Sequence, residues 1–259
     1  MRPLDEQMIL VTGSSDGHGK RVAQELAARG ATLLVHGRDR DKTEAAAREI
    51  GSEHMRIADL ASLEEVRRLA DEIDALDALV NNAGIISLDR GESADGHELT
   101  FAVNYLSHFL LTQLLLPKLS EPARIVNVSS IGQERLDFDD LMFERDYNFF
   151  SAYARSKLAQ VLFTFELAER LGDRDITVNA LHPATLMDTK MVSGGGVSPQ
   201  SSVEEGAEAT MRLVAHPKLD GLSGRFFDGQ AESGTHRQAN DAEARRRLWQ
   251  ESERLTGLA

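Results

Sequence analysis

Short apolar runs alternate with longer amphipathic segments along almost the whole of this 259-residue chain, and nothing else in it limits the fold as strongly. Met8–Val11 is followed by a helical pattern from His18 to Arg29 that stops at Gly30. Thr32–His36 leads into a charged helical stretch, Asp41 to Ile50. His54–Ala58 leads into one ending at Ile73, where Ser62 and Glu65 have the spacing of a capping box. Ala78–Asn81 and Arg124–Ser129 are the fourth and fifth strands, separated by a long helical pattern over 96–119. A second long one, 151–171, precedes Ile176–Leu181; Gly224–Phe227 is a weak seventh strand, and Asp241–Leu255 reads as a surface helix. Short strands alternating with helices predict a parallel sheet covered on both faces. Right-handed crossovers make that sheet doubly wound, with ligands bound beyond the carboxyl ends of its strands. With no repeat or linker visible, the expectation is one α/β domain over 1–259 with a mostly parallel, seven-stranded sheet.

Composition removes several function classes. A net charge of −13 argues against nucleic acid as a partner. There is no cysteine, and the eight histidines form no HExxH pair, so no metal site is expected. The longest apolar stretch, Phe109–Pro117, is broken by Thr112 and Gln113 and falls short of the ~20 residues of a membrane span. The polar start MRPLDEQM reads as no signal peptide, which sets a cytoplasmic expectation.

Residues 12–20 read TGSSDGHGK, directly after the first strand. A turn under a pyrophosphate needs positive φ angles, bare backbone N–H groups and a close helix–strand approach, all of which glycine supplies. On spacing alone, a phosphate cradle and a structural turn capped by Ser14 or Ser15 both stay open, since the pattern is TGxxxGxG rather than GxGxxG.

TGxxxGxG resembles the cofactor turn of the short-chain dehydrogenase/reductase family, and the family's other marks follow in order. Asn81-Asn82-Ala83-Gly84 follows the fourth strand, Asn104 lies in the long helix after it, and Ser129-Ser130 ends the fifth strand. Tyr153 and Lys157 form YxxxK, and His182-Pro183 follows the sixth strand. With three tyrosines and six lysines, a YxxxK pair alone arises by chance roughly 7% of the time, so the ordered set carries the resemblance. It implies a Rossmann fold with a cofactor turn at 12–20 and a catalytic segment at 127–157. The 23 positions from Ser130 to Tyr153 exceed the family's commonest spacing and resemble its retinol-dehydrogenase-like subgroup.

Tyr153 and Lys157, four residues apart, share a helix face. A phenol titrates near pH 10, so Lys157 is expected to lower it, making Tyr153 the acid–base catalyst. Ser130 would hydrogen-bond the substrate oxygen, with Ser129 read as the backbone-bonded strand end. The resemblance adds that Lys157 holds the nicotinamide ribose and that Asn104 positions a water beside it. It places cofactor contacts at Gly13, Ser14, Ser15, Gly17, His18 and Gly19, at Asp59 and Leu60, and at Asn81, Ala83 and Gly84. Beyond the sixth strand it adds Pro183, Ala184, Leu186 and Thr189.

Where a carboxylate after the second strand would bind the ribose hydroxyls of NAD, this chain has Gly37, followed by Arg38 and Arg40. A guanidinium there suits a 2′-phosphate, so NADP(H) is favoured over NAD. Asp39 is read as solvated, and Asp16, inside the glycine turn, does not help a nearby phosphate. His18 replaces the family's aliphatic residue and is read as a surface variant; Ala184 replaces a glycine.

Candidate substrate contacts are Ile131, Phe138, Tyr147, Phe149, Phe150, Met187 and Met191, an aromatic-leaning wall for an apolar molecule. Residues 185–202, with SGGGVSPQ at 193–200, read as a mobile substrate loop. The helices 96–119 and 151–171 are candidates to pair with a second subunit. The leading reading is an oxidoreductase moving hydride between nicotinamide and a ketone, aldehyde or secondary alcohol. An epimerase or dehydratase with retained cofactor and a cofactor-sensing binding protein are the alternatives.

Overall fold

The computed structural model of the chain describes residues 2–189 and 198–259. Seven strands run parallel: β1 (Met8–Val11), β2 (Thr32–Gly37), β3 (His54–Ile57), β4 (Leu76–Asn81), β5 (Leu119–Val128), β6 (Ile176–His182) and β7 (Arg225–Asp228). An eighth, β8 (Ala231–Glu232), folds back antiparallel on β7 through Gly229, whose φ is +56°. The spatial order is β3-β2-β1-β4-β5-β6-β7-β8. The seven-strand expectation missed β8 because two residues are too few to show an alternation.

Successive side chains of each strand point to opposite faces, and both faces are buried. Leu10, Leu34, Leu79, Ile125 and Val178 form one core with α3 (Leu63–Asp71), α4, α5 (Phe149–Leu171) and α7 (Ala242–Thr256). Here α4 is α-helical at Leu99–Phe101 and Ser107–Leu115 with a π turn, Ala102–Leu106, between. Ile9, Val11, Leu33, Val35, Val80, Val126 and Leu181 form the other core with α1 (Gly17–Ala28), α2 (Arg40–Ile50) and α6 (Val203–Ala215).

The Ser62 hydroxyl caps α3, but the Glu65 carboxylate turns to the Asp59 N–H instead of completing the box. A complete capping box forms at α6, between Ser202 and Glu205. With its 3-10 extension, α4 is a 20-residue helix, Leu99–Lys118, apolar and long enough to cross a membrane by composition, and 78% of its apolar window is buried inside the protein.

The C-terminal helix is more than a surface helix. Trp249 meets Phe109 at 5.1 Å between ring centroids and Phe163 at 5.9 Å. Ser252 Oγ lies 2.7 Å from the Tyr105 hydroxyl, and the Arg170 guanidinium sits 4.1 Å over the Trp249 ring. Thus α7 packs against α4 and α5.

Phe109→Ala should destabilise the fold by about 3–5 kcal/mol, because its ring centres this aromatic cluster and leaves a cavity there. Chemical denaturation followed by Trp249 fluorescence measures it; a loss below ~1 kcal/mol would show that the cluster is not the packing centre it is taken for.

Candidate active site

All the site segments lie at the carboxyl ends of β1, β2, β4, β5 and β6. In the glycine turn, Gly13 and Gly17 take φ values of +67° and +52°. A Cβ at Gly19 would lie 2.3 Å from Asn82 Nδ2 and 2.5 Å from the Gly13 carbonyl oxygen, so α1 meets the turn at backbone distance. The turn is tied to β2: the Gly13 N–H donates to His36 Nδ1 at 3.0 Å, and Ser14 Oγ accepts from the His36 N–H at 2.9 Å. It is tied to β4 as well, since Thr12 Oγ1 accepts from the Asn82 and Ala83 N–H groups and Asn82 Nδ2 donates to the Thr12 carbonyl. Neither serine caps α1; Asp16 does, accepting from the Gly17 N–H. Ser15 instead fills the space above Gly37.

There a Cβ would stand 2.4 Å from Thr43 Oγ1 and 2.7 Å from Ser15 Oγ, so a carboxylate-bearing residue does not fit at position 37. Arg38 is exposed and makes no ion pair among the described residues, while Asp39 is engaged as the cap of α2. At the end of β3, Leu60 is buried and Asp59 accepts from the Ala61 N–H. The side chain of Asn81 faces the interior, donating to Thr112 and Asn127, so the amide at the turn is that of Asn82, which sequence reasoning left out of the site.

His18 is no surface variant. It is buried, Asn82 Oδ1 accepts from its Nδ1 at 2.8 Å, and its Nε2 lies 3.2 Å from Thr210 Oγ1 on α6. Burial is the main cause of its lowered pKa. Gly206 makes room for it, since a Cβ there would meet Met187 Sδ at 2.3 Å and the His18 ring at 3.2 Å. Met187 Sδ therefore reaches α6 at Gly206.

Ser129 and Ser130 take different partners. Ser129 Oγ donates to the Lys157 carbonyl and fastens α5 to β5. Ser130 Oγ accepts from the Gly132 N–H at 3.0 Å and hydrogen-bonds the Tyr153 phenol. Burial raises the Tyr153 pKa against that hydrogen bond. The expected lowering by Lys157 is not met, because the ammonium lies over the ring, 5.5 Å from its centroid, and is bonded elsewhere. Lys157 Nζ donates to the Val128 carbonyl at 2.8 Å and Gln160 Oε1 at 3.1 Å, and burial pulls it down to about 7. Asn104 sits in the π turn, its amide exchanging two hydrogen bonds with the Ile85 backbone and donating to Ser156 Oγ. A Cβ at Gly84 would lie 3.4 Å from Asn104 Oδ1 and 3.7 Å from Lys157 Nζ, so this glycine keeps the space between them open.

Beyond β6, Pro183 is buried, Ala184 is half-buried and Leu186 has a φ of +47°. The loop base is closed by Gln200 N–H to the Leu186 carbonyl and Asp188 N–H to the Ser201 carbonyl. Thr189 reaches the glycine turn, 3.7 Å from where a Gly17 Cβ would be. Met191 and residues 190–197 of the expected mobile loop lie outside the described residues.

The expected aromatic wall divides. Phe150 is 62% exposed, stacks on Phe149 at 4.0 Å and lies one turn before Tyr153, and Ile131, next to Ser130, is 50% exposed. Leu88, absent from the sequence reading, is 62% exposed in a loop that the Tyr147 hydroxyl holds through the Ser87 carbonyl. Tyr147 itself packs edge-on against buried Phe143, and Phe138 packs on the core under the Arg247 guanidinium. Both serve the loop's own packing. Among the described residues no group of three or more His, Asp or Glu could hold a metal ion.

Comparison with known proteins agrees with this geometry. A family model described as short chain dehydrogenase matches residues 7–195. Retinol dehydrogenase 13 of Homo sapiens is 41% identical over 280 aligned positions, covering 96% of this chain and 84% of that protein. Retinol dehydrogenase 14 of Homo sapiens is 37% identical, covering 96% and 86%. Among solved structures, an uncharacterised protein of Mycobacterium paratuberculosis aligns with a TM-score of 0.85 at 35% identity, covering 97% of this chain and 94% of that one. A short-chain dehydrogenase of Burkholderia cenocepacia in complex with NADP aligns with a TM-score of 0.72 at 27% identity, covering 89% and 99%.

Gly19→Ala should weaken binding of a nicotinamide dinucleotide at least about tenfold, because the Gly13 backbone oxygen cannot yield to a methyl group. Nicotinamide fluorescence on titration reads the change, and an unaltered Kd would show that this turn is not where the dinucleotide lies.

Proposed function

The chain belongs to the short-chain dehydrogenase family, within its retinol-dehydrogenase-like subgroup, and on that premise we propose that it is an NADP(H)-dependent oxidoreductase acting on an apolar aldehyde or ketone and the matching alcohol. The observation that carries this reading is the convergence of Ser130, Tyr153 and Lys157 beside a glycine turn whose close approaches leave room for backbone only.

The residues present fit a dinucleotide. Gly13, Gly17 and Gly19 would bear its pyrophosphate at the N-terminus of α1, where backbone N–H groups and the helix dipole favour an anion. Asp59 and Leu60 would meet the adenine end, Ala83, Gly84, Pro183, Ala184 and Thr189 the nicotinamide half, and Lys157 the ribose beside it. Arg38, with Ser15 and Gly37 below it, would pair with a 2′-phosphate. Among the relatives, the Burkholderia dehydrogenase in complex with NADP supports that preference. The bound cofactor supplies or receives the hydride.

The protein's own groups handle the oxygen. Ser130 donates a hydrogen bond to the carbonyl oxygen and steadies the alkoxide that develops there. Tyr153, protonated at neutral pH by virtue of its raised pKa, gives that oxygen its proton. Lys157, whose ammonium lies over the Tyr153 ring without lowering the phenol's pKa, would act through the ribose it holds beside that phenol. Ile131, Phe149 and Phe150 offer the reacting molecule an apolar, aromatic mouth, and the printed names of the retinol dehydrogenase relatives agree with an apolar alcohol.

Tyr153→Phe should bind NADPH as the unaltered protein does while turnover with an apolar aldehyde falls by about 10²–10⁴-fold. Retained turnover would sink the assignment of the proton donor. Arg38→Ala should raise the KM for NADPH at least about tenfold and leave NADH nearly unaffected, as loss of a guanidinium–phosphate pair requires. Equal effects on both would reject the reading of a 2′-phosphate site.

A further inference from the structure

Lys157 is a buried ammonium that no carboxylate among the described residues faces. The titratable groups that sense it are Tyr153 on its own helix, His108 on α4, His18 on α1 and His182 at the end of β6. None supplies negative charge near neutral pH, and Asp228 acts on His182 rather than on Lys157. Among the described residues, two oxygens accept from its Nζ: the Val128 carbonyl and Gln160 Oε1, at 2.8 and 3.1 Å. The first is fixed by β5. The second depends on which way an amide is turned, for a flipped Gln160 would press its NH₂ hydrogens against the ammonium.

The charged Lys157, which can only donate, fixes that choice, and His108 matches it. Its Nδ1 lies 3.0 Å from Gln160 Nε2, and both side chains are buried. Burial, with the field of Lys157 and a smaller one from His36 on β2, holds His108 down at about 3. The ring is therefore neutral at any working pH, and with Nδ1 as its acceptor the ring hydrogen sits on Nε2. That Nε2 is a buried atom without a hydrogen-bond partner among the described residues. The fold thus leaves one buried donor unmatched while keeping the Gln160 oxygen on Lys157.

We propose that Gln160, with His108 on the other side of its amide, is a positioning residue for Lys157, its side-chain oxygen standing where a carboxylate counter-charge would otherwise hold the ammonium beside Tyr153. This rests on the reading of Lys157 as part of the catalytic set, and the two are separable by experiment.

The direct test is the titration of Lys157 in the full-length protein before cofactor is added, by NMR of ¹³C-labelled lysine ε-carbons. The Lys157 signal is the one lost in Lys157→Met. Its midpoint, near 7 in the unaltered protein, should fall by about one pH unit in Gln160→Leu and rise by about one unit or more in Gln160→Glu. The alkaline limb of kcat/KM for NADPH, which reports the enzyme before cofactor binds, should move in the same two directions. A Gln160 that only fills space would alter melting temperature or turnover in both variants without opposite shifts, and that result overturns the proposal. If Gln160→Leu does not fold, the nearly isosteric Gln160→Glu decides alone, and an unmoved midpoint rejects the inference. Opposed NMR shifts with undiminished turnover in Tyr153→Phe would uphold the role of Gln160 and overturn the catalytic reading instead.

Discussion

Both faces of the sheet are sealed, and most of the arrangement follows from that. Leu10, Leu34 and Leu79 are covered on one side, Ile9, Val11 and Val80 on the other, so these side chains of the central strands have no route to solvent. Groups that must meet a ligand are left the edge where strands end and the chain turns into helices. At that edge the backbones approach closely enough that Gly19 on Asn82, Gly37 under Ser15 and Gly84 between Asn104 and Lys157 all stand where a side chain would collide or intrude. Glycine marks the site because strand ends and helix starts crowd together there, not because the site is loose.

The interior is not purely apolar, and its polar part is ordered toward the same edge. Asn81 donates to Asn127 and Thr112, Asn127 to Thr164, and Thr164 to the Gln160 carbonyl, joining β4 and β5 to α4 and α5. Each bond adds only about 1 kcal/mol net, but leaving such a group unpaired costs about 1–3 kcal/mol, so the network specifies register more than it adds stability. A one-residue slip of α5 would break it and carry Tyr153 and Lys157 off their face. The π turn at Asn104 belongs to the same requirement, bringing its amide to the Ile85 backbone.

Features that depend on neighbours in sequence were legible before any coordinates. The strand–helix alternation, the positive-φ glycines and the Tyr153–Lys157 spacing rest on local periodicity or on spacing of a few residues, whereas the preference for Ser130 over Ser129 came from the family resemblance. What was hidden depends on distant pairs. A lone histidine reads as exposed until Thr210, 192 positions away, supplies its partner and Gly206 its room. Phe138 and Tyr147 read as pocket wall because aromatic residues near a catalytic segment suit one. Arg247 from α7 and Ser87 from the loop after β4 claim them instead. The C-terminal helix read as a surface helix because nothing local shows that Trp249 returns to pack on α4 and α5.

The electrostatics of the proposed site follow from its depth. Burial opposes charge on both groups, raising the phenol of Tyr153 and lowering the ammonium of Lys157, so the pair favours a protonated tyrosine and only a marginally charged lysine. A protonated phenol suits donation to a carbonyl oxygen, and a lysine near its midpoint is sensitive to small dipoles. An exposed lysine would ignore an amide 3 Å away, since water would screen it and keep it charged regardless. In this site the orientation of one glutamine side chain bears on the charge of the lysine beside Tyr153.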